Sequence, residues 1–187
     1  MPLIEAPLEM EANHGFVIWL YGLPCSGKST LAKSLIQSVQ HAGYPALGLD
    51  GDVLRSGVSA DLGFSDKDRT ENVRRASHLA KLAMESGFAA IVSLITPTVA
   101  LRELARKIIP PHRLLLVAVT CPIEECKRRD VKGMYAKAAA GLIKGMTGVD
   151  GGFDPVPPGE FTVNSSTQSI GECTQNIINE AILRRLF

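Results

Sequence analysis

Six apolar residues, Phe16–Tyr21, run directly into Gly22-Leu23-Pro24-Cys25-Ser26-Gly27-Lys28-Ser29-Thr30, and a helical apolar pattern follows at once. No other feature constrains the fold as tightly. A short run with no polar alternation predicts a strand buried on both faces. The nine residues after it fit the spacing of a phosphate-binding loop, two glycines with four residues between them followed by Lys and Ser. Glycine lets the backbone N–H groups close around an anion, and the helix that starts here adds its positive end. Lys28 would then reach the terminal phosphate oxygens and Ser29 would bind Mg²⁺. Average residue usage gives a chance match in a chain this long a probability of roughly 1%. The strand before it and the helix after it lower that further. Cys25 is either a small residue that fits the loop or a thiol made reactive by the loop's partial positive charge.

The rest of the chain alternates the same way. Leu31, Leu35, Ile36 and Val39 give 29–41 a helical face, closed by Gly43 and Pro45. A short strand is predicted over 46–49. A long helix over 66–86 is capped by Ser65, faces inward with Val73, Leu79, Leu82 and Ala83, and ends at Gly87. Strands over 88–95 and 114–119, helices over 98–109 and 123–129, a last strand over 161–163 and a final helix over 169–185 complete the pattern. That helix would bury Ile170, Ile177, Ile178, Ala181 and Ile182. Residues 130–159 are rich in Gly and Pro and poor in large apolar side chains, which marks a functional lid or a disordered stretch. The implied fold class is α/β: a P-loop NTPase-like three-layer fold, with a mostly parallel sheet of about five strands flanked by helices and a mobile lid. Residues 1–15 read as a loose arm and 16–187 as one domain, since 187 residues hold little beyond one domain of about 150.

Composition excludes several partners. Lys and Arg total 20 against 19 Asp and Glu, a net charge of +1, so no broad basic field exists for nucleic acid. No apolar run approaches the roughly 18 residues of a membrane helix. The start of the chain lacks a basic and then apolar signal, and its four cysteines form no CxxC pair, which points to reduced thiols in a cytoplasm.

A small-molecule kinase needs a carboxylate to orient the acceptor hydroxyl and take its proton, and another beside the metal. The second strand ends in Leu49-Asp50-Gly51-Asp52, at the end of the sheet where ligands lie. Asp52 suits the first role and Asp50 the second, although an Asp-Gly pair also makes a plain turn. Arg69 and Asn72, one helical turn apart, join Arg55 in a fork for an anion, and Phe64 offers a ring to a base. Arg74 and Arg75 include at least one solvated charge. Arg102 and Arg129 are either nucleotide contacts or surface charges. No NKxD guanine signature is present, which disfavours a GTPase.

Taken together, these stretches resemble the adenylylsulfate kinases. The similarity extends over nearly all of 15–166, through LDGDVLRSGVSADLGFS, DRTENVRR and RDVKGMYAKAAAGLIKGMTGVD. It implies transfer of the γ-phosphoryl of ATP to the 3′-hydroxyl of adenosine 5′-phosphosulfate, with ATP and Mg²⁺ as cofactors. It implies Asp52 as the catalytic carboxylate, with Lys28 and Thr96 beside it. Arg55, Arg69 and Asn72 would hold the phosphosulfate and ribose end, with Phe64 on the adenine. Ile95 and the hydroxyl of Thr96 would border the acceptor pocket, into which Lys132 reaches. Ser29 and Asp50 would form the metal side. A lid over about 130–160 would exclude water, and the enzyme would be a homodimer.

The chain departs from that family's pattern at four places. Ile95-Thr96-Pro97 stands where Ile-Ser-Pro is usual, and Gly145-Met146-Thr147-Gly148 where Asn-Phe-Thr-Gly is usual. Met146 would pack on the adenine through its thioether in place of an aromatic ring. Phe153-Asp154 replaces Tyr-Glu, and Pro24-Cys25 stands where small residues are commoner. Two departures touch the acceptor pocket, so a kinase of the same fold acting on another nucleotide-like acceptor, such as a nucleoside diphosphoramidate, is the alternative. A non-catalytic nucleotide-binding regulator is the third reading, opposed by intact Lys28, Ser29 and Asp52.

Overall fold

The structure, a computed structural model, describes residues 14–186. Five parallel strands form one sheet in the order β2-β3-β1-β4-β5. These are β1 (Phe16–Tyr21), β2 (Ala46–Asp50), β3 (Ala89–Ser93), β4 (Leu114–Thr120) and β5 (Phe161–Asn164). Seven helices are α1 (Lys28–His41), α2 (Gly51–Ser56), α3 (Asp66–Glu85), α4 (Val99–Ile108), α5 (Ile123–Arg129), α6 (Met134–Ala139) and α7 (Ile170–Leu183). Among the described residues no helix is long and apolar enough to cross a membrane.

β1 is central, and all six of its side chains are fully buried. Alternate residues serve opposite layers, because strand side chains alternate with period two. Val17, Trp19 and Tyr21 pack with the inner faces of α3 and α4, and Phe16, Ile18 and Leu20 pack with α1 and α7. The predicted three-layer α/β architecture follows from this double burial. Between β3 and β4 the chain crosses to the far side of β1, so β1 has one neighbour from each half of the fold. The loop after β1 leaves the sheet at this switch point, where open parallel sheets bind ligands.

Local signals mark the helix ends. Ser65 Oγ accepts from Asp68 N at the start of α3, and Ser169 and Glu172 form a reciprocal capping box on α7. Two predicted inward residues turn out: Leu82 is 62% exposed and Ile182 52% exposed. Small residues take the inner positions instead. Ala76, Ala80 and Ala83 let α3 approach the sheet, and on α7 the small Cys173 joins the predicted Ile177 and Ala181 at the inner positions. The predicted loose arm lies mainly in 1–13, outside the described residues. Its last residue, Gly15, belongs to the packed domain: Arg113 Nη1 donates to its carbonyl at 3.0 Å, and a Cβ there would meet the Met84 carbonyl at 2.2 Å.

Residues 130–159 contain α6, whose first turn is held by Asp130 accepting from Tyr135 N and Ala136 N. A third apolar cluster fastens this segment to the rest. Tyr135 and Met146 bury themselves beside Cys126, with Leu23, Cys25, Ile123 and Ile143 around them.

Candidate active site

The loop between β1 and α1 is held open by its backbone. Gly22 has φ 153°, and a Cβ on it would lie 2.4 Å from the Val119 carbonyl, so no other residue fits. Gly27, at φ 92°, begins α1, which has no side-chain cap and leaves its first N–H groups free for an anion. Leu23, Pro24 and Cys25 form the outer arc. Tyr135 Oη donates to the Pro24 carbonyl at 3.2 Å, so α6 braces the arc from the lid side. On the far side Ser165 Oγ donates to the Ser26 carbonyl at 2.7 Å, and Arg129 donates to both oxygens of Ser165. Arg129 is therefore neither a surface charge nor free for a ligand; it props the loop. Ser29 and Thr30 face solvent.

Lys28 is buried and curls back into the loop. Its Nζ donates to the carbonyls of Gly22 at 3.0 Å and Leu23 at 2.7 Å. Burial pushes the ammonium down to about 8, the largest influence on it being loss of water. Ser29 Oγ donates to Asp50 Oδ2 at 2.6 Å. The same oxygen accepts from Ser93 Oγ at 2.7 Å, and Asp50 Oδ1 accepts from the Asp52 amide at 3.0 Å. Asp50 thus caps α2, a helix the sequence pattern does not predict, and links the loop serine to Asp52. Ser93 escaped the sequence reading. The available signal was register, since Ser93 pairs with Asp50 at the ends of β3 and β2.

Asp52 is exposed and ion-paired with Lys132, so two residues expected separately in the site come into contact. Arg55, Phe64 and Arg69 also converge, and Asn72 lies one turn along α3 from Arg69. The guanidinium carbons of Arg55 and Arg69 lie 4.5 and 6.0 Å from the Phe64 ring centre. Phe64 is 65% exposed, with its ring open to a planar partner. Arg55 donates to the Gly63 carbonyl at 2.6 Å. Arg69 donates to the Phe64 carbonyl at 2.9 Å, the Gly145 carbonyl at 2.8 Å and Thr147 Oγ1 at 3.2 Å. Asn72 is buried, and its Oδ1 has no hydrogen-bond partner. Arg74 is the solvated charge, paired with Glu71, whereas Arg75 pins the loop before α3 through Asp61 and the Val58 carbonyl.

Two assignments change. Met146 does not lie on the Phe64 side. Its side chain is 4% exposed and packs into the lid cluster beside Tyr135 and Leu23, because the turn around it is folded inward. Asp150 makes that turn, accepting from Gly145 N and Met146 N at 2.7 Å each. Thr96 is 2% exposed, and its Oγ1 accepts from Trp19 Nε1 at 3.0 Å. Its hydroxyl therefore points into the core and not toward an acceptor. Ile95 is half-buried, and its carbonyl accepts from Gly22 N at 3.2 Å. Arg102 is buried, not a surface charge, with its guanidinium carbon 4.8 Å from the Tyr21 ring centre and 5.8 Å from that of Phe153. Asp154 accepts from Val99 N at 2.7 Å, so the Phe153-Asp154 substitution anchors the end of the lid to β1 and α4.

Among the described residues no three His, Cys, Asp or Glu gather as a cation cage. The Ser29 hydroxyl and the Asp50 carboxylate are oxygen donors beside the loop, the chemistry that suits Mg²⁺ shared with a nucleotide phosphate.

Known proteins resemble this chain over most of its length. The family model described as adenylylsulphate kinase matches residues 14–164. An adenylyl-sulfate kinase of Clostridium acetobutylicum is 42% identical over 170 residues, covering 91% of this chain and 84% of that protein. One from Paraburkholderia xenovorans is 40% identical over 169 residues, covering 90% and 94%. The solved structure of the Mycobacterium tuberculosis APS kinase CysC in complex with AMPPNP and APS superposes with a TM-score of 0.84 at 39% identity, covering 89% of this chain and 96% of that one.

Proposed function

The chain belongs to the adenylylsulfate kinase family, and we propose that it moves the γ-phosphoryl of ATP onto the 3′-hydroxyl of adenosine 5′-phosphosulfate, giving 3′-phosphoadenylylsulfate and ADP. The observation that carries the residue assignments is the chain of contacts from Ser29 through Asp50 to the Asp52 amide. It ties the carboxylate that would accept the hydroxyl proton to the loop that would hold the phosphate.

In this reading the loop amides and Lys28 hold the β- and γ-phosphates, and Lys28 exchanges its loop carbonyls for phosphate oxygens. Asp52 orients the acceptor hydroxyl and takes its proton as the phosphoryl group departs. Lys132 then leaves Asp52 for the developing charge. Arg55, Arg69 and Asn72 bind the phosphosulfate and ribose end, and Phe64 stacks on the adenine. Ser29 and Asp50 would hold Mg²⁺, which supplies charge neutralisation on the transferring phosphoryl. We infer a cytoplasmic homodimer from the family resemblance; light scattering on the purified protein tests the assembly.

The experiment is ADP release with ATP, Mg²⁺ and adenylylsulfate, run beside adenosine- and cytidine-based diphosphate analogues. Fast turnover with micromolar adenylylsulfate is expected. A second acceptor is favoured by one observation, the inward Met146, which takes away the thioether expected to pack on the adenine opposite Phe64. Faster turnover with an analogue would move the substrate. No turnover with any acceptor, despite ATP binding, would remove the kinase reading from this chain.

A further inference from the structure

We propose that Trp19 is a positioning residue for phosphoryl transfer: its indole N–H, through the Thr96 hydroxyl, holds the β3–α4 turn that aligns the phosphate loop with the lid. The inference rests on the kinase reading for its turnover arm and on the structure alone for its binding arm.

Trp19 is fully buried in the middle of β1. A buried indole N–H needs an acceptor. The one it meets is Thr96 Oγ1, 77 positions away in sequence, at 3.0 Å. Thr96 has φ 42°. A β-branched residue rarely adopts that left-handed conformation, and it persists only where the surroundings impose it. The surroundings here are specific. On one side of Thr96, the Ile95 carbonyl accepts from the amide of Gly22, the first residue of the phosphate loop. On the other, the Pro97 carbonyl accepts from the Asp154 amide at 2.9 Å, at the end of the lid. One three-residue turn therefore joins the loop to the lid, and the indole fastens its middle residue. Trp19 is also three residues before Gly22 on the same strand, so the N–H spans β1 and the turn as a strut.

This arrangement gives the Thr96 hydroxyl a task that needs no contact with the acceptor. A serine would accept the same bond with less backbone cost, because it is not β-branched. The departure from serine thus keeps the acceptor atom for the indole. Loss of the strut would free the Gly22 peptide and shift the γ-phosphate relative to Asp52. A misplacement of that kind lowers kcat by about tenfold to a hundredfold. Nucleotide affinity depends on the loop's own amides and Lys28 and falls much less.

Three variants separate the possibilities, with the emission of Trp19, the chain's one tryptophan, as a readout independent of turnover. Thr96→Ser keeps the hydroxyl and is expected to keep the parent's emission maximum and its change on ADP binding. Thr96→Val removes the acceptor, so its emission shifts to shorter wavelength and its ADP response is lost. Thr96→Gly removes the hydroxyl but adopts φ 42° freely. It is expected to match Thr96→Val, with kcat about tenfold or more below Thr96→Ser. Should Thr96→Val fail to fold, Thr96→Gly carries the test. Equal turnover and equal ADP response for Thr96→Gly and Thr96→Ser would overturn the proposal, since backbone freedom alone would then suffice. The ADP titration uses no acceptor, so failure of adenylylsulfate as substrate and failure of the Trp19 strut give different results.

Discussion

Lys28 offers the sharpest test of the phosphate loop, and the perturbation is pH. An ammonium ordinarily near 10.5 titrates at about 8 here because burial strips its water. That difference corresponds to roughly 3 kcal/mol of disfavoured charge. Coulombic attraction to nearby Cys126, Cys25 and Asp50 offsets this only partly. A bound phosphate brings negative charge against the same nitrogen and returns it toward its ordinary range. Nucleotide binding must then take up a proton whenever the free protein has lost it. Below about pH 7 Lys28 is charged in both states and affinity is flat. Above pH 8 the free protein is increasingly neutral, and ADP affinity falls by about tenfold per pH unit until the bound lysine titrates. The stability contribution of Lys28 has the opposite sign. Its folded value lies below its unfolded one, so the unfolded chain binds more protons between about 8 and 10.5, and the free protein gains stability as pH rises through that window. Calorimetry with ADP at pH 7 and pH 9, in buffers of different ionisation heat, reads both the affinity and the proton count. Near one proton taken up at pH 9, near none at pH 7, and roughly tenfold weaker binding at pH 9 are expected. In Lys28→Arg, whose guanidinium stays charged, the slope disappears. Equal affinity at the two pH values with no proton uptake would refute the reasoning.

Other sites predict distinct outcomes. Asp52→Asn lowers kcat by about a hundredfold or more while ADP affinity stays near the parent's, measured by steady-state kinetics beside calorimetry; parent-like turnover would remove the general-base role. Met146→Ala opens a hole in the lid cluster, costing about 2–4 kcal/mol locally, read as faster amide exchange over 134–151 and a raised acceptor KM with unchanged ADP affinity. Arg102→Leu takes the cation from beside the Tyr21 and Phe153 rings and from the carbonyls of Thr98 and Asp154, and lowers stability to urea by about 2–4 kcal/mol. If Arg102→Leu unfolds at the parent's urea midpoint, the buried guanidinium contributes nothing to holding the lid's end.

What was legible in the sequence was local. β1, the loop after it, and the cap Ser65 each depend on residues within a few positions, so pattern and spacing suffice. Asp50 and Asp52 were legible as neighbours of the phosphate loop because strand ends in a parallel sheet share one edge, whereas Lys132, which meets Asp52, came in only through the family resemblance. Leu82 and Ile182 misled because periodicity marks a broad stripe, while packing distance picks its centre, where alanines let α3 approach the sheet. Thr96, Met146 and Arg102 were illegible for a different reason. Each side chain's direction is set by a partner far along the chain: Trp19 for Thr96, Tyr135 and the Leu23 arc for Met146, Tyr21 and Phe153 for Arg102. Helix α2 was missed because six residues carry too little pattern, and its cap, Asp50, was already occupied in the reading by a metal role.

The charged groups of this site are paired within the protein itself, and that pairing bears on which acceptor it selects. Lys28 holds loop carbonyls, Asp52 holds Lys132, Arg55 holds Gly63, and Arg69 holds three oxygens, two of them from the lid turn. A ligand therefore exchanges partners and does not simply add contacts, so its affinity is the difference between new bonds and old. Neutral carbonyls and a threonine hydroxyl are weak competitors against an anion, because charge-assisted bonds to a guanidinium are roughly twice as strong. A neutral sugar hydroxyl offers Arg69 nothing better than the Gly145 carbonyl it already has. A phosphosulfate does, and its arrival would release the lid turn from Arg69 at the moment the cleft fills. Asn72 fits the same logic from the other side: its buried Oδ1 is unpartnered, so a donor on the acceptor, such as a ribose hydroxyl, gains a bond there at no exchange cost. An anionic acceptor that also carries a hydroxyl satisfies both conditions, and a neutral one satisfies only the second.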